Sequence, residues 1–400
     1  MNTLAISTRH VAFAGKSKVY FRILPININQ SSAASSDGDL DQLPDLKFSE
    51  EWTAKNAHIE CIAFSKDEKL IAVADSAHGL QIFEIQPSSG SRGVWHPLFN
   101  SNSYKRLIKL QFTSDGSYLT LLDKQGDIFA LRISSDHQNV SKIRKLMGHT
   151  SFISNYVACS KLNQIISCDR DEKIRISNFP DGYVIQGFKL GHTESVISVA
   201  LIETSTKDKQ DNVQENRYLL SISVTGVLIL WDFLKPISGT ETSFLKKRNV
   251  KNILSEEVKE AEIQSMKVCL MEGNILVAVT FTGFKKVCIF KISIPSHDIQ
   301  LVQEVEADSD MLIIEWNEGH GHSITPLLIV YMPQVPSVKW WKPESTILSE
   351  NDICNFSEEM RDDMKALGEV HKPSSSVPMR KRQTNFEDNL HVYPDQQKSS

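Results

Sequence analysis

The residues of this chain with the chemistry to do something fall into three small groups. Gly15-Lys16-Ser17 has the glycine, lysine and hydroxyl that close a phosphate-cradling loop. Such a loop needs a further glycine five positions before Gly15, and His10 stands there, so nucleotide binding is rejected. His320 and His322, in Glu318-Gly319-His320-Gly321-His322, offer imidazoles to a divalent metal. No cysteine or third histidine lies near them, and the segment reads as a turn. The third group, Asp169-Arg170-Asp171-Glu172-Lys173, places both signs of charge within five residues, which suits ion pairing with a complementary protein surface. There is no Gly-x-Ser-x-Gly elbow, no dinucleotide fingerprint and no pair of catalytic carboxylates on a defined scaffold. The expectation is a non-enzyme with no cofactor and no metal.

The elements that position the charged group are set by a repeat. Gly148-His149-Thr150 recurs as Gly191-His192-Thr193, 43 positions later, which matches the roughly 40–45-residue period of a four-stranded propeller blade. In such repeats a histidine at the blade entrance, a serine or threonine, the aspartate of the turn between the second and third strands, and a tryptophan ending the third strand form a buried polar set. A set of that kind is tolerated only when nearly complete. The first repeat supplies His149 and Asp171 but has Ser177 in the tryptophan position; the second supplies His192 and Trp231-Asp232 but has Thr225 in place of the aspartate. His149, Asp171, His192 and Trp231 are accordingly read as scaffold.

Alternating apolar runs at short, even spacing extend the pattern along the chain. Leu4–Ile6, Val11–Ala14 and Val19–Ile23 make a first blade. Ile59–Phe64, Leu70–Ala74 and Leu80–Ile85 make a second, and Leu107–Phe112, Tyr118–Leu122 and Ile128–Ile133 a third. The two recognisable repeats are the fourth and fifth, Ile263–Ile292 gives a sixth and Leu312–Trp341 a seventh. The fold predicted is all-β, a seven-bladed WD40-type β-propeller over residues 1–350. A C-terminal helix on propeller or partner follows over 351–372, then a largely disordered basic and polar tail over 373–400. Ser65–Lys69 and Thr113–Ser117 read as equivalent hairpin turns, Ser31–Asp41 and Thr204–Asn216 as mobile surface loops, and Ser255–Glu262 as a short acidic helix. Phe356, Met360, Met364 and Leu367 form the stripe of the C-terminal helix, with Ser357 as N-cap and Gly368 just past its end.

With 44 basic and 49 acidic residues the net charge is −5, so no global field draws the chain to nucleic acid or membrane. Any RNA contact has to be local. Candidate clusters are Lys105-Arg106 with Lys109, Lys142 with Arg144-Lys145, Lys246-Lys247-Arg248 with Lys251, and Arg380-Lys381-Arg382. Six scattered cysteines without a Cys-x-x-Cys pair, and no signal peptide, read as reduced intracellular thiols. The longest apolar stretch, Leu219–Leu230, is too short to cross a bilayer.

A charged residue in the second turn of a blade lies at the blade's top edge, where partners dock, and Arg170 has that position with Asp169, Glu172 and Lys173 around it. The segment Cys168–Ser177 followed by Leu190–Glu194 resembles the signature of the WD-repeat non-catalytic subunit of tRNA (guanine-N7-)-methyltransferase, including the serine in place of tryptophan. Pro343–Leu348 resembles that family's last blade, and Arg380–Asn389 its basic, Phe-containing C-terminal segment. The resemblance implies a heterodimer whose catalytic subunit binds S-adenosylmethionine and methylates N7 of a guanine in the tRNA variable loop. This chain would hold that subunit in its active shape, and tRNA would be met through the complex. Arg170, with Asp169 and Lys173, would contact the catalytic subunit while Asp171 braces the turn from inside. A mainly nuclear location, with some cytoplasmic presence, is implied too. The competing readings are a propeller adaptor presenting a peptide or substrate to a ubiquitin-ligase or chromatin complex, and a propeller hydrolase, which would need convergent acids or a metal in the central channel.

Overall fold

The computed structural model describes residues 3–6, 10–23, 46–47, 57–86, 94–102, 105–137, 139–207, 213–233, 244–294, 296–317, 326–343 and 356–370. Seven antiparallel sheets, each a simple meander, follow one another along the chain. Six have four strands, and the seventh has three among the described residues. The blades span residues 4–47, 59–102, 107–148, 153–190, 196–249, 263–306 and 313–341. Below, strands a to d of each blade run from the central channel outward.

The core is divided among the seams. Seven apolar clusters form, each made chiefly from two neighbouring blades, and the set runs round the ring without a gap. Each blade therefore buries both faces. This explains why strand b of blade two, Leu70–Asp75, and strand b of blade seven, Leu327–Met332, are buried at every residue. These two strands are thus nearly continuous apolar runs, unlike the alternation expected from the sequence. Blades lacking the Gly-His and Trp-Asp marks share the backbone detail of those that have them. A register shift at the top of strand a recurs in blades two to six.

Blade seven meets blade one through Leu327, Ile329, Tyr331 and Val338 against Leu4, Val11, Phe13 and Tyr20, and the Tyr331 hydroxyl donates to the Ala14 carbonyl. The C-terminal helix, α1 (Glu358–Val370), closes this seam from the face that carries the b–c turns. Ser357 caps it as expected, its Oγ accepting from Met360 N at 3.3 Å. Gly368 lies inside the helix, contrary to its expected place beyond the end. A Cβ there would stand 2.8 Å from Gln334 N, so only glycine lets the helix approach that turn. Gly15-Lys16-Ser17, the phosphate-loop fragment, is the b–c turn of blade one and is held by the helix: Asp363 accepts from Ser17 N and Oγ at 3.0 and 2.9 Å and from Tyr20 Oη at 3.1 Å.

Thr204–Asn216 is corrected by the structure. Strands Val196–Lys207 and Val213–Ser223 stay paired as far as Lys207↔Val213, extending the a–b hairpin of blade five. Ser255–Glu262 contains a single 3-10 turn, Glu256–Val258. Ser31–Asp41, His320, His322, Pro343–Leu348 apart from Pro343 itself, and Arg380–Asn389 lie outside the described residues.

Candidate functional site

Asp169 ends strand b of blade four (Gln164–Asp169), and Lys173 begins strand c (Lys173–Asn178). The four-residue step between them folds back tightly, which leaves two backbone N–H groups pointing at the strand end. Asp169 Oδ1 accepts both, from Asp171 N at 2.9 Å and Lys173 N at 3.1 Å. Its other oxygen accepts from His149 Nδ1 at 2.8 Å, and His149 Nε2 contacts Ser167 Oγ at 2.8 Å. Asp169 is 2% exposed, whereas Asp171 is exposed. The two roles expected from the sequence are therefore exchanged. Asp169 is the internal brace rather than a partner-binding residue, and Asp171 is a surface residue rather than part of the scaffold.

The physical reason is geometric. A carboxylate reaches the N–H groups two and four residues ahead only from the last strand position, not from inside the turn. Asp75 and Asp123 do the same in blades two and three, each accepting from residues two and four ahead at 2.7–2.9 Å. In blade five the corresponding residue is Ser223, whose Oγ accepts from Val227 N at 3.0 Å. Thr225, expected to mark the lost aspartate, lies two residues further on and touches Ser223 Oγ at 3.1 Å.

The two polar sets are complementary halves. In blade five Trp231 Nε1 donates to Ser221 Oγ at 2.8 Å, and Ser221 contacts His192 Nε2 at 2.7 Å. An indole N–H only donates, so Ser221 Oγ accepts from Trp231 while it contacts His192. Burial, then the Lys247 charge, pushes its pKa down to about 4. In blade four, where Ser177 replaces the tryptophan, Arg175 lies in the space. Its Nε donates to Ser177 Oγ at 2.8 Å and its two terminal nitrogens donate to the carbonyls of Gly148 and Gly182 at 3.1 and 2.8 Å. His149, His192 and Trp231 are scaffold, joined by Ser167, Ser221 and Arg175, which sequence reasoning missed.

With Asp169 inside, the outward set is Arg170, Asp171 and Lys173, with Glu172 half-buried beside them. Arg170 is the most constrained of these. Its guanidinium lies over the Phe152 ring at 4.6 Å. Its backbone N donates to Phe152 O at 3.2 Å, and its carbonyl accepts from Ser195 Oγ at 2.9 Å. Phe152 and Ser195 belong to the entrances of blades four and five, so one arginine is tied to both and presented at their top edge. Glu172 has φ of +72°, at a turn position where Gly126 and Gly226 stand in blades three and five. A glutamate carries a local cost there that glycine avoids.

Among the described residues, members of the basic clusters make contacts within the chain. Lys109 turns into the central channel, donating to Asn155 Oδ1 and Tyr156 O at 2.6 Å each, and burial followed by the Lys267 charge lowers its pKa to about 7. Arg106 pairs with buried Glu60. Lys145 pairs with Asp127 at 2.7 Å, Lys246 with Asp298 at 3.6 Å, and Lys247 donates to Gly191 O at 2.7 Å. Among the described residues no cluster of His, Cys, Asp and Glu is arranged to hold a metal, and no helix is long and apolar enough to cross a membrane.

Residues 134–346, over half the chain, match the model of the tRNA methyltransferase TRM82 WD40 domain. The chain is 27% identical over 305 residues to the tRNA (guanine-N(7)-)-methyltransferase non-catalytic subunit wuho of Aedes aegypti, covering 75% of this chain and 69% of that one. It is 28% identical over 231 residues to the non-catalytic subunit wdr4 of Xenopus laevis, covering 58% and 53%, and 24% identical over 339 residues to the human non-catalytic subunit WDR4, covering 80% and 76%. Among solved structures, a chain of a mitotic checkpoint complex aligns with TM-score 0.57 at 15% identity, over 86% of each chain. The C-terminal WD40 domain of Sif2 aligns with TM-score 0.53 at 14% identity, over 82% of this chain and 92% of that one. These two likenesses establish the fold alone.

Proposed function

The chain belongs to the family of the tRNA methyltransferase TRM82 WD40 domain, and from that membership we propose that it is the non-catalytic subunit of a tRNA (guanine-N7-)-methyltransferase heterodimer. The catalytic subunit holds S-adenosylmethionine and methylates guanine in the tRNA variable loop. This chain keeps that subunit in its active conformation, and tRNA is met through the complex. The observation that carries the reading is that the family match spans the blade-four edge where Arg170 is held ready. A guanidinium already stacked on Phe152 loses little freedom when it takes a carboxylate, and two parallel N–H donors suit it to that group. A propeller that binds only the active arrangement of its partner raises the population of that arrangement by its differential affinity.

Arg170→Glu tests the proposal. Reversing the charge is expected to weaken the heterodimer by about 2–3 kcal/mol, on the order of a hundredfold, and to lower tRNA N7-methylation in proportion while the melting temperature stays put. An acid-to-lysine change at the facing position of the catalytic subunit should recover part of the binding. If Arg170→Glu dimerises and supports methylation like the unmodified chain, the contact lies elsewhere on the ring.

A further inference from the structure

Leu190 ends strand d of blade four (Ile185–Leu190) and is 62% exposed. A lone exposed leucine ordinarily means nothing. Its neighbour, however, inverts the usual preference. Lys189 is 2% exposed, with its ammonium on the Asp232 carbonyl of blade five at 3.1 Å, and burial lowers its pKa. Successive strand residues point to opposite faces, so seating Lys189 inward turns Leu190 out. The next residue is fixed as well: a Cβ on Gly191 would stand 2.9 Å from Trp231 Cη2, and the Gly191 carbonyl takes Lys247 Nζ. The strand end cannot rotate to hide the leucine.

Register shows what the position holds elsewhere. Opposite the first residue of strand c stand Asn102 in blade two, Gly148 in blade three and Asn249 in blade five, all small or polar. In blade four the first residue of strand c is Lys173, and opposite it stands Leu190. The one large apolar side chain at this site among these blades thus adjoins the turn that presents Arg170. We propose that Leu190 is the apolar anchor of the contact with the catalytic methyltransferase subunit, receiving an apolar side chain of that subunit beside the acid that Arg170 takes. This rests on the assignment of the Arg170 turn to that contact. The arrangement fits interfaces whose affinity comes from a desolvated apolar centre with charges at its rim.

The test is the affinity of the full chain for its catalytic subunit, measured at low and high salt for Leu190→Asn, which installs the residue of the sister blades, Leu190→Met and Arg170→Glu. Leu190→Asn is expected to weaken binding about tenfold or more, through faster dissociation, equally at both salt concentrations and without change in melting temperature. Leu190→Met should stay within about threefold of the unmodified chain. The Arg170→Glu loss should shrink as salt rises. If Leu190→Asn binds normally while Arg170→Glu is weakened, or if its deficit vanishes in high salt, the anchor is refuted and the Arg170 contact stands. If neither variant is weakened, both assignments fall.

Discussion

Asp169 takes two backbone N–H groups and an imidazole N–H from inside the blade, while Asp171 lies on the surface two residues later. Replacing Asp169 by alanine strands three part-buried donors, and a loss of about 3 kcal/mol is expected. Asp171→Ala should stay within about 0.5 kcal/mol. Urea titrations of the two variants decide the matter, and equal losses would contradict the inside and outside assignment. The pattern in the sequence does not separate two aspartates two positions apart. The signal that would have separated them was there in Asp75 and Asp123, each closing an apolar strand as Asp169 does and each four residues before strand c. His192 carries a pH signature. Its folded pKa of about 4 lies below the ordinary value of 6.5, so the unfolded chain binds the proton more readily between those values. The stability held by neutral His192 is complete above about pH 6.5 and is lost as pH falls toward 4, on the order of 3 kcal/mol at most. His192→Gln should flatten that acid limb, and an unchanged slope of unfolding free energy against pH would assign the limb to another group.

At the scale of elements, strand positions were readable because each blade is punctuated by polar turns. Ser65 and Thr113 each bond the aspartate two residues on, at 2.6 Å, in equivalent a–b hairpins. The destination of α1 was not readable. Its stripe of Phe356, Met360, Met364 and Leu367 predicts a helix with one apolar face, but the surface that receives it is assembled from blades one and seven, more than 300 residues apart in sequence. Asp363, on the polar side of the pattern, proves to be the residue that ties the helix to the Gly15-Lys16-Ser17 turn. Met364 is fully buried at the closing seam, where, among the described residues, no strand from one blade completes the other's sheet. Met364→Ala is therefore expected to cost about 2–5 kcal/mol by leaving a cavity there. It should also raise the rate at which protease cuts the chain after blade seven. If proteolysis and stability both match the unmodified chain, the helix does not secure the ring.

At the scale of the molecule, seven seams share the core, so that no blade is stable apart from its neighbours and the ring needs all seven. The sequence marks only two blades plainly; the others were legible from apolar runs, because the inner strands of each blade are largely buried against both neighbouring seams. What was not legible is how neighbouring blades combine at their tops, since Phe152, Arg170 and Ser195 come from separate segments and meet only in the fold. That architecture also bears on chemistry. A cofactor loop of the S-adenosylmethionine kind needs a strand, a glycine-rich turn and a helix N-terminus in succession, with an acidic residue for the ribose. Here the strands run in antiparallel meanders joined by hairpins, and α1 opens on Glu358 and Glu359. The isolated chain is expected neither to bind S-adenosylmethionine in calorimetric titration nor to methylate tRNA, and methylation should appear on addition of the catalytic subunit. Saturable micromolar binding of the cofactor to the chain alone would overturn the non-catalytic assignment, because a site on the propeller itself would then be required.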